Sequence, residues 1–521
     1  MKIVSIFGGH DANVTFVDTE KNKYHVIEIE RLVKKRYYRL HGDSPQTIFE
    51  IFYNCQKIAE KYWNFDNDYD TLVFVKDGWI DLQIVSSVFK FKNIQVEDHH
   101  HSHAACAFYQ SPFSESMIIS YDGGGNDGFF NIYLATDNGI TLVEKINSDF
   151  GGGYLLLSSC CSEIAKSSKH MLSLAGKMMG LCAYGKTDSK KIKIMRNLFI
   201  DKNYKKVSEL GNYNLKNVDN PWDNPLENYI FEGQESFDFA ANAQKAYEDM
   251  FLEIFNLLLN KYNPKNICLT GGGGLNVLLN QYIKNNFNLN IFVPPNPNDC
   301  GLSIGAAFLT HKPTNKINIA YKGIPLLDID YKEKLLQNRK TEPVNLEKVC
   351  QLLKSGKIIG VCQGDSEVGP RALGNRSIIC DPSYKNMKDI LNAKVKFREW
   401  YRPFAPFCLE EDASTYFESK DFNNMEFMGY APIVKKEYRE SLPSITHVDN
   451  SSRLQTVSES SHKFFYDLLR VYKNFSNIPV LLNTSFNIRG NPILTTIEDA
   501  LYVLDNTELD YVIIEETLVC K

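Results

Sequence analysis

One pattern occurs twice in the first 150 residues and restricts the fold more than any other feature. Lys2 to Phe7 reads as an apolar strand and runs into the turn Gly8-Gly9-His10-Asp11. Strands over Asn13 to Val17 and Tyr24 to Ile29 follow. The pattern recurs as Ser116 to Tyr121, the turn Asp122-Gly123-Gly124-Gly125, then Gly128 to Ala135 and Ile140 to Ile146. Asp137-Asn138-Gly139, a hairpin-turn signal, joins the last two. A strand, a glycine turn with a carboxylate and two more strands, twice over, predict a duplicated nucleotide-binding core with both turns facing a shared cleft. Pattern alone leaves two ordinary meanders open. A third glycine turn, Thr270-Gly271-Gly272-Gly273-Gly274-Leu275-Asn276, joins a strand over Asn266 to Leu269 to a helix. Glycines at such a junction let a phosphate or an adenosine approach the backbone closely.

Four of the eleven histidines fall within Asp98-His99-His100-His101-Ser102-His103, between a strand and a small-residue helix. A helix starting near His99 puts His99 and His103 at i and i+4 on one face, a spacing that lets two imidazoles bind one metal ion. His100 and His103, at i and i+3, form a second pair. Asp122 could complete the shell.

With 43% hydrophobic residues and 521 in all, the chain can build two to four sizeable cores. A net charge of -5 gives no overall nucleic-acid signature. No apolar run approaches the roughly 18 residues of a membrane span, and the N-terminus breaks into glycine and charge too early for a signal peptide. The twelve cysteines include one vicinal pair, Cys160-Cys161, and no C-x-x-C. A reducing, cytoplasmic setting is therefore expected.

The stretch from His311 to Pro343 reads as a linker with short strands. Beyond it, arginine and lysine collect in segments read as loops: Gly369-Pro370-Arg371-Ala372-Leu373-Gly374-Asn375-Arg376-Ser377, Asn392 to Phe404, and Ser452-Arg453-Leu454-Gln455-Thr456. Leu482-Asn483-Thr484-Ser485-Phe486-Asn487 adds amides and hydroxyls after a strand over Pro479 to Leu481. Cations interleaved with Gly, Pro, Asn and Ser suit phosphate groups, a triphosphate and a second small phosphate better than nucleic acid.

These motifs, in this order, resemble the O-carbamoyltransferases of nodulation-factor, aminoglycoside and cephamycin biosynthesis. Carrying the resemblance are Gly9-His10-Asp11-Ala12, Asp98 through Ala105, Tyr121-Asp122-Gly123, Gly176-Lys177-Met178-Met179-Gly180, the glycine run at Gly271 and Asp299-Cys300-Gly301. Further on they are Glu367 through Arg376, Arg402-Pro403-Phe404-Ala405-Pro406 and Asn483-Thr484-Ser485-Phe486-Asn487. The Gly-Pro-Arg-Ala-Leu-Gly-Asn-Arg string is the most specific.

The resemblance implies an α/β chain with two parts. Residues 1–340 would form a duplicated actin-like ATPase core that transfers the carbamoyl group, and residues 341–521 an α/β YrdC-like domain that makes carbamoyladenylate. ATP, with magnesium, and carbamoyl phosphate are the implied co-substrates. His10 is the implied base, and Arg371, Lys396, Arg402 and Arg453 the phosphate cations, with Asn483 and Ser485 as polar partners. Lys177, Gly272, Gly273 and Asn276 join the nucleotide-binding set. His99, His103, Asp122 and Asp299 would hold a divalent metal; the family favours iron, and the donor set also permits zinc or manganese. The partner is a hydroxyl-bearing acceptor, with nucleic acid only as an acceptor, no membrane, and room for a homodimer. Acceptor choice is assigned to loops around Glu30 to Arg39 and Phe150 to His170. Two departures stand out: Gln363-Gly364-Asp365-Ser366-Glu367 where many relatives have Gln-Gly-Arg-Met-Glu, and the extra His101. A threonylcarbamoyl-type enzyme acting on tRNA and a non-catalytic nucleotide sensor are the competing readings.

Overall fold

The computed structural model describes residues 1–167, 170–201, 214–215 and 229–521. Its first sheet is built on Lys2–Phe7, which pairs antiparallel with Asn13–Asp18; that strand pairs antiparallel with Lys23–Glu28. On its other side Lys2–Phe7 runs parallel to Tyr69–Val75, and Tyr69–Val75 parallel to Phe91–Glu97. The second sheet repeats this plan. Glu115–Gly125 pairs antiparallel with Gly128–Thr136, and that with Gly139–Ile146. On its other side lie Asn266–Thr270 and Asn290–Phe292, both parallel. The repeat read from the sequence is therefore a topological duplication. Sequence showed the antiparallel triplets because their turns carry glycine signals. The parallel strands were harder to pair, because long connections separate them.

Two helices lie between these sheets, His99–Gln110 and Leu302–His311, each entered from the last parallel strand of its half. Ala104, Ala105, Ala107, Ala306 and Ala307 of these two packed helices are all buried in one core. At the crossing, a Cβ on Gly305 would collide with the Ser102 carbonyl. Small residues bring the helix axes together, so both N-termini converge on one spot.

The third sheet has eight strands, from Thr341–Pro343 to Thr517–Cys520. Helices Leu346–Lys354 and Lys463–Tyr472 pack together over one face, around a core that includes Val349, Leu353, Phe465 and Leu469. Within the expected linker lie a helix, Lys332–Leu336, and the edge strand Thr341–Pro343. Three details differ from the sequence reading. The strand expected at Pro479 to Leu481 lies at Leu481–Ser485, so Asn483 and Ser485 are strand residues. Arg376 opens the strand Arg376–Cys380 rather than a loop. The Asn392 region is helical, with a wide turn over Leu391–Val395 following Met387–Ile390. Most side chains of the two strands are buried, as are Leu391, Asn392 and Val395 of the wide turn, and burial overrides local turn propensity.

All twelve cysteines are free thiols. No helix among the described residues is long and apolar enough to cross a membrane.

Candidate active site

At the converging helix N-termini, His99, His103, Asp122 and Asp299 each offer a ligand atom, all within 4.8 Å of one another. Two come from the first turns of His99–Gln110. Asp122 sits where the strand pairing shifts register between Tyr121 and Gly125. Asp299 lies in the turn before Leu302–His311. His99 Nε2 and His103 Nε2 both aim at Asp299 Oδ1, at 3.7 and 3.4 Å, and His103 Nε2 is 3.1 Å from Asp122 Oδ2. The Gly272 amide donates to Asp122 Oδ2 at 2.8 Å. The glycine run thus lets the backbone approach this carboxylate.

Burial alone would lower the His103 pKa, but Asp122 and Asp299 outweigh it and raise it to about 9. Burial would likewise raise Asp122, but His103 and His99 hold it far below the usual carboxylate range. The donors fit a divalent cation: two imidazoles and two carboxylates, all but Asp122 buried, converging on one point.

The remaining histidines of the run are used elsewhere. His100 Nδ1 lies 2.7 Å from the Ser120 hydroxyl, and Nε2 lies 3.0 Å from the Gly128 carbonyl. His101 stacks on Tyr133 with ring centroids 5.6 Å apart. The i, i+3 alternative therefore does not face the centre.

His10 borders the same carboxylates. Its Nε2 is 3.3 Å from Asp299 Oδ2 and its Nδ1 3.2 Å from Asp11 Oδ2. The His10 side chain is 44% exposed and that of Asp299 only 3%, so His10 forms the open wall of the site. Burial pulls its pKa down, yet Asp299 and Asp11 prevail and hold it at about 10.

Several supporting residues escaped the sequence reading. Asp77 Oδ2 lies 2.9 Å from His99 Nδ1. Buried Asn13 donates to the Asp299 carbonyl at 2.9 Å and accepts from the Ser303 amide at 3.1 Å. Asn126 and Asp127 cap the first two amides of the histidine helix from the neighbouring hairpin. Only the Asp77-Gly78 pair after a strand could have been noticed.

A second group gathers Arg371, Lys396, Arg398, Arg402 and Arg453, with Arg36 close by. Burial, then Arg371, Arg398 and Arg402, drive the Arg453 pKa well below its ordinary value. Lys396 is driven down in the same way by burial, Arg398, Arg402 and Arg36. Burial and Arg402 lower Arg371 to about 10. Among the described residues the carboxylate ion-paired with this group is Glu399, 3.6 Å from Arg402, and it is shared with Lys177 at 2.8 Å and Arg489 at 3.8 Å. One carboxylate cannot balance this many cations, so the group is preset for a polyanion. Lys396 reaches Ser485 Oγ at 3.1 Å and the Asn487 carbonyl at 2.7 Å. Arg36 and Arg398 were not singled out from the sequence; Arg36 lies far away along the chain.

Some expected binding residues have structural work. Asn276 caps its helix by accepting from the Leu279 amide and bonds Gln244. Asn483 donates to the Ala372 carbonyl and to Gln455. Gly273 leaves room for the Tyr121 ring. Arg376 spends its guanidinium on the carbonyls of Gln363, Asn375 and Gly364. Asp365 feels Arg376, Lys322 and Glu515, none of them in the cation group.

Tyr37 lies between the two groups. Asp11 of the first and Arg402 of the second both act on its phenol, and its ring stacks on His170 at 4.8 Å. Both segments expected to choose the acceptor thus meet here; Ser168 and Lys169 lie outside the described residues.

The mixed α/β chain thus carries two polar centres, one of histidines and carboxylates and one of arginines and a lysine. Comparison with known proteins gives the class. The family model described as Carbamoyltransferase N-terminus matches residues 56–308, and Carbamoyltransferase C-terminus matches 350–521. Nodulation protein NolO of Bradyrhizobium diazoefficiens is 32% identical over 449 residues, covering 81% of this chain and 79% of that one. An uncharacterized protein of Methanocaldococcus jannaschii is 31% identical over 547 residues, covering 100% and 99%. Nodulation protein U of Rhizobium tropici is 29% identical over 515 residues, covering 94% and 84%. Among solved structures, full-length HypF aligns at a TM-score of 0.34 and 13% identity, covering 60% of this chain and 46% of that one, too distant to bear on the site. The chain belongs to the carbamoyltransferase family and is a carbamoyl-transferring enzyme.

Proposed function

We propose that the chain is an O-carbamoyltransferase working in two stages. Residues 341–521 act as the YrdC-like, adenylate-forming domain, and residues 1–340 as the actin-like transfer domain. In the first stage carbamoyl phosphate loses phosphate to water, and the carbamate attacks the α-phosphorus of ATP. Carbamoyladenylate forms and pyrophosphate leaves. The observation that carries this reading is the cluster of Arg371, Lys396, Arg398, Arg402 and Arg453, short of counter-charge and preset to stabilise phosphoryl transfer.

In the second stage an acceptor hydroxyl attacks the carbamoyl carbon, and AMP leaves with the electron pair of the broken C–O bond. His10, the open wall of the first centre, takes the hydroxyl proton. Asp299 and Asp11 raise its pKa to about 10, and a cation sharing the charge of Asp299 would lower it. His99, His103, Asp122 and Asp299 would hold a divalent metal, which when bound would supply Lewis acidity. Asp77 and Asn13 hold those ligands in place.

The test is transfer itself. Purified protein, carbamoyl phosphate, Mg-ATP and a panel of alcohols, including hydroxymethyl pyrimidines, are incubated and analysed by mass spectrometry. An alcohol gaining one carbamoyl group, with AMP released in equal amount, supports the reading. ATP cleaved to ADP instead contradicts it.

A further inference from the structure

Arg371 makes no hydrogen bond or ion pair with another side chain among the described residues, so its backbone sets its direction. That backbone is held from outside its own domain. We propose that Arg31 and Glu28 are positioning residues for Arg371, a buried ion pair in the N-terminal part that fixes the anion-binding loop of the C-terminal part. The proposal rests on the reading of Arg371 as a phosphate ligand.

Arg31 follows the strand Lys23–Glu28 and is 2% exposed. Its Nη1 donates to the Glu367 carbonyl at 2.6 Å and its Nη2 to the Gly369 carbonyl at 2.8 Å. The same Nη2 lies 2.6 Å from Glu28 Oε2, which also accepts from the Gly369 amide at 3.4 Å. Glu367 closes the loop from within: its Oε1 accepts from the amides of Leu373, Gly374 and Arg376. Residues 367–376 are thus tied at the start by Arg31 and at the end by Glu367, with Arg371 between.

Gly369 presses this loop onto the other centre. Its φ is +124°, open to glycine, and a Cβ there would collide with the Pro295 carbonyl. Pro295 belongs to the segment that runs into Asp299. Glu28 is also the register partner of Asn13, which holds the Asp299 carbonyl. The two centres therefore share one continuous set of backbone contacts, with Arg31 at its middle. A guanidinium can serve two carbonyls and a carboxylate at once; an ammonium cannot hold that planar fork.

The test uses Arg31→Lys and the double variant Glu28→Gln/Arg31→Met in the full chain. Carbamoyl-phosphate-dependent exchange of pyrophosphate into ATP gives KM and kcat, and hydrogen exchange reads the Leu373 and Gly374 amides. Each lost charge-assisted bond to the loop corresponds to roughly tenfold. The KM for carbamoyl phosphate should rise about tenfold in Arg31→Lys and further in the double variant. The kcat per active site should fall as well, because Arg371 is read as a transition-state ligand, and the two amides should exchange faster. A merely structural role would reduce the active fraction and leave KM alone. Folded variants with KM values within about twofold of the parent and unchanged amide protection would overturn the proposal. If the double variant does not fold, Arg31→Lys decides alone. If the parent itself shows no exchange, the reading of the phosphate site fails, while the amide measurement still decides whether Arg31 holds the loop.

Discussion

Asp77 Oδ2 lies 2.9 Å from His99 Nδ1, on the side of the imidazole turned away from Asp122 and Asp299. A carboxylate in that position fixes the ring and directs Nε2 to the centre. Removing its charge should weaken a bound metal by roughly 10- to 100-fold without emptying the site. Asp77→Asn is expected to show that loss in metal titrations, whereas His99→Ala combined with His103→Ala should abolish metal altogether by elemental analysis. Unchanged metal content in the double variant would rule the four side chains out as ligands.

His10→Ala should separate the two stages. The imidazole borders Asp299 and Asp11 and none of the arginines of the phosphate group. Carbamoyl transfer from supplied carbamoyladenylate is expected to drop by roughly 10²–10⁴-fold, the usual loss for a general base. Adenylate synthesis should continue. Near-normal transfer in a folded variant would assign the proton to another group.

Asp365 offers a pH test away from both centres. Burial lifts its pKa to about 6, although Arg376 and Lys322 pull the other way. The unfolded value is about 3.9. The folded chain therefore holds this proton more tightly, and stability falls as pH rises from about 4 to about 6. Asp365→Asn lacks that loss. Its stability relative to the parent should improve by about 1–2 kcal/mol between pH 4 and pH 7, allowing for partial exposure. A difference that stays constant over this range would contradict the assignment.

Gly305 should tolerate no side chain. A Cβ there meets the Ser102 carbonyl, which is backbone and cannot swing away. Gly305→Val is expected to cost several kcal/mol of stability by overpacking the helix crossing. It should also loosen the metal group, because one helix carries His99 and His103 and the other starts just after Asp299. Thermal unfolding and metal content should fall together; loss of stability with full metal retention would show that the crossing does not position the ligands.

That His99 and His103 face the same way was legible in the sequence because i, i+4 histidines share a helix face whatever surrounds them. The duplicated triplets were legible because each carries its own glycine turns. The choice among the four histidines was not, since Ser120, Gly128 and Tyr133, which occupy His100 and His101, lie on strands of the second sheet. Asp77, Asn13 and Arg31 were missed for a similar reason: each acts across a long chain separation. Asn276 and Asn483 were singled out by motif, yet their amides are spent on a helix cap and a loop carbonyl. Arg36 joins the cations only through tertiary contact.

The central claim is that the arginine-rich group activates carbamoyl phosphate as an adenylate. Exchange of labelled pyrophosphate into ATP tests it most directly. The parent protein should catalyse exchange only when carbamoyl phosphate is present. Arg371→Ala should lose it, by several kcal/mol of transition-state stabilisation, and His10→Ala should keep it. Exchange that ignores carbamoyl phosphate, or that survives Arg371→Ala at the parent rate, would contradict the account.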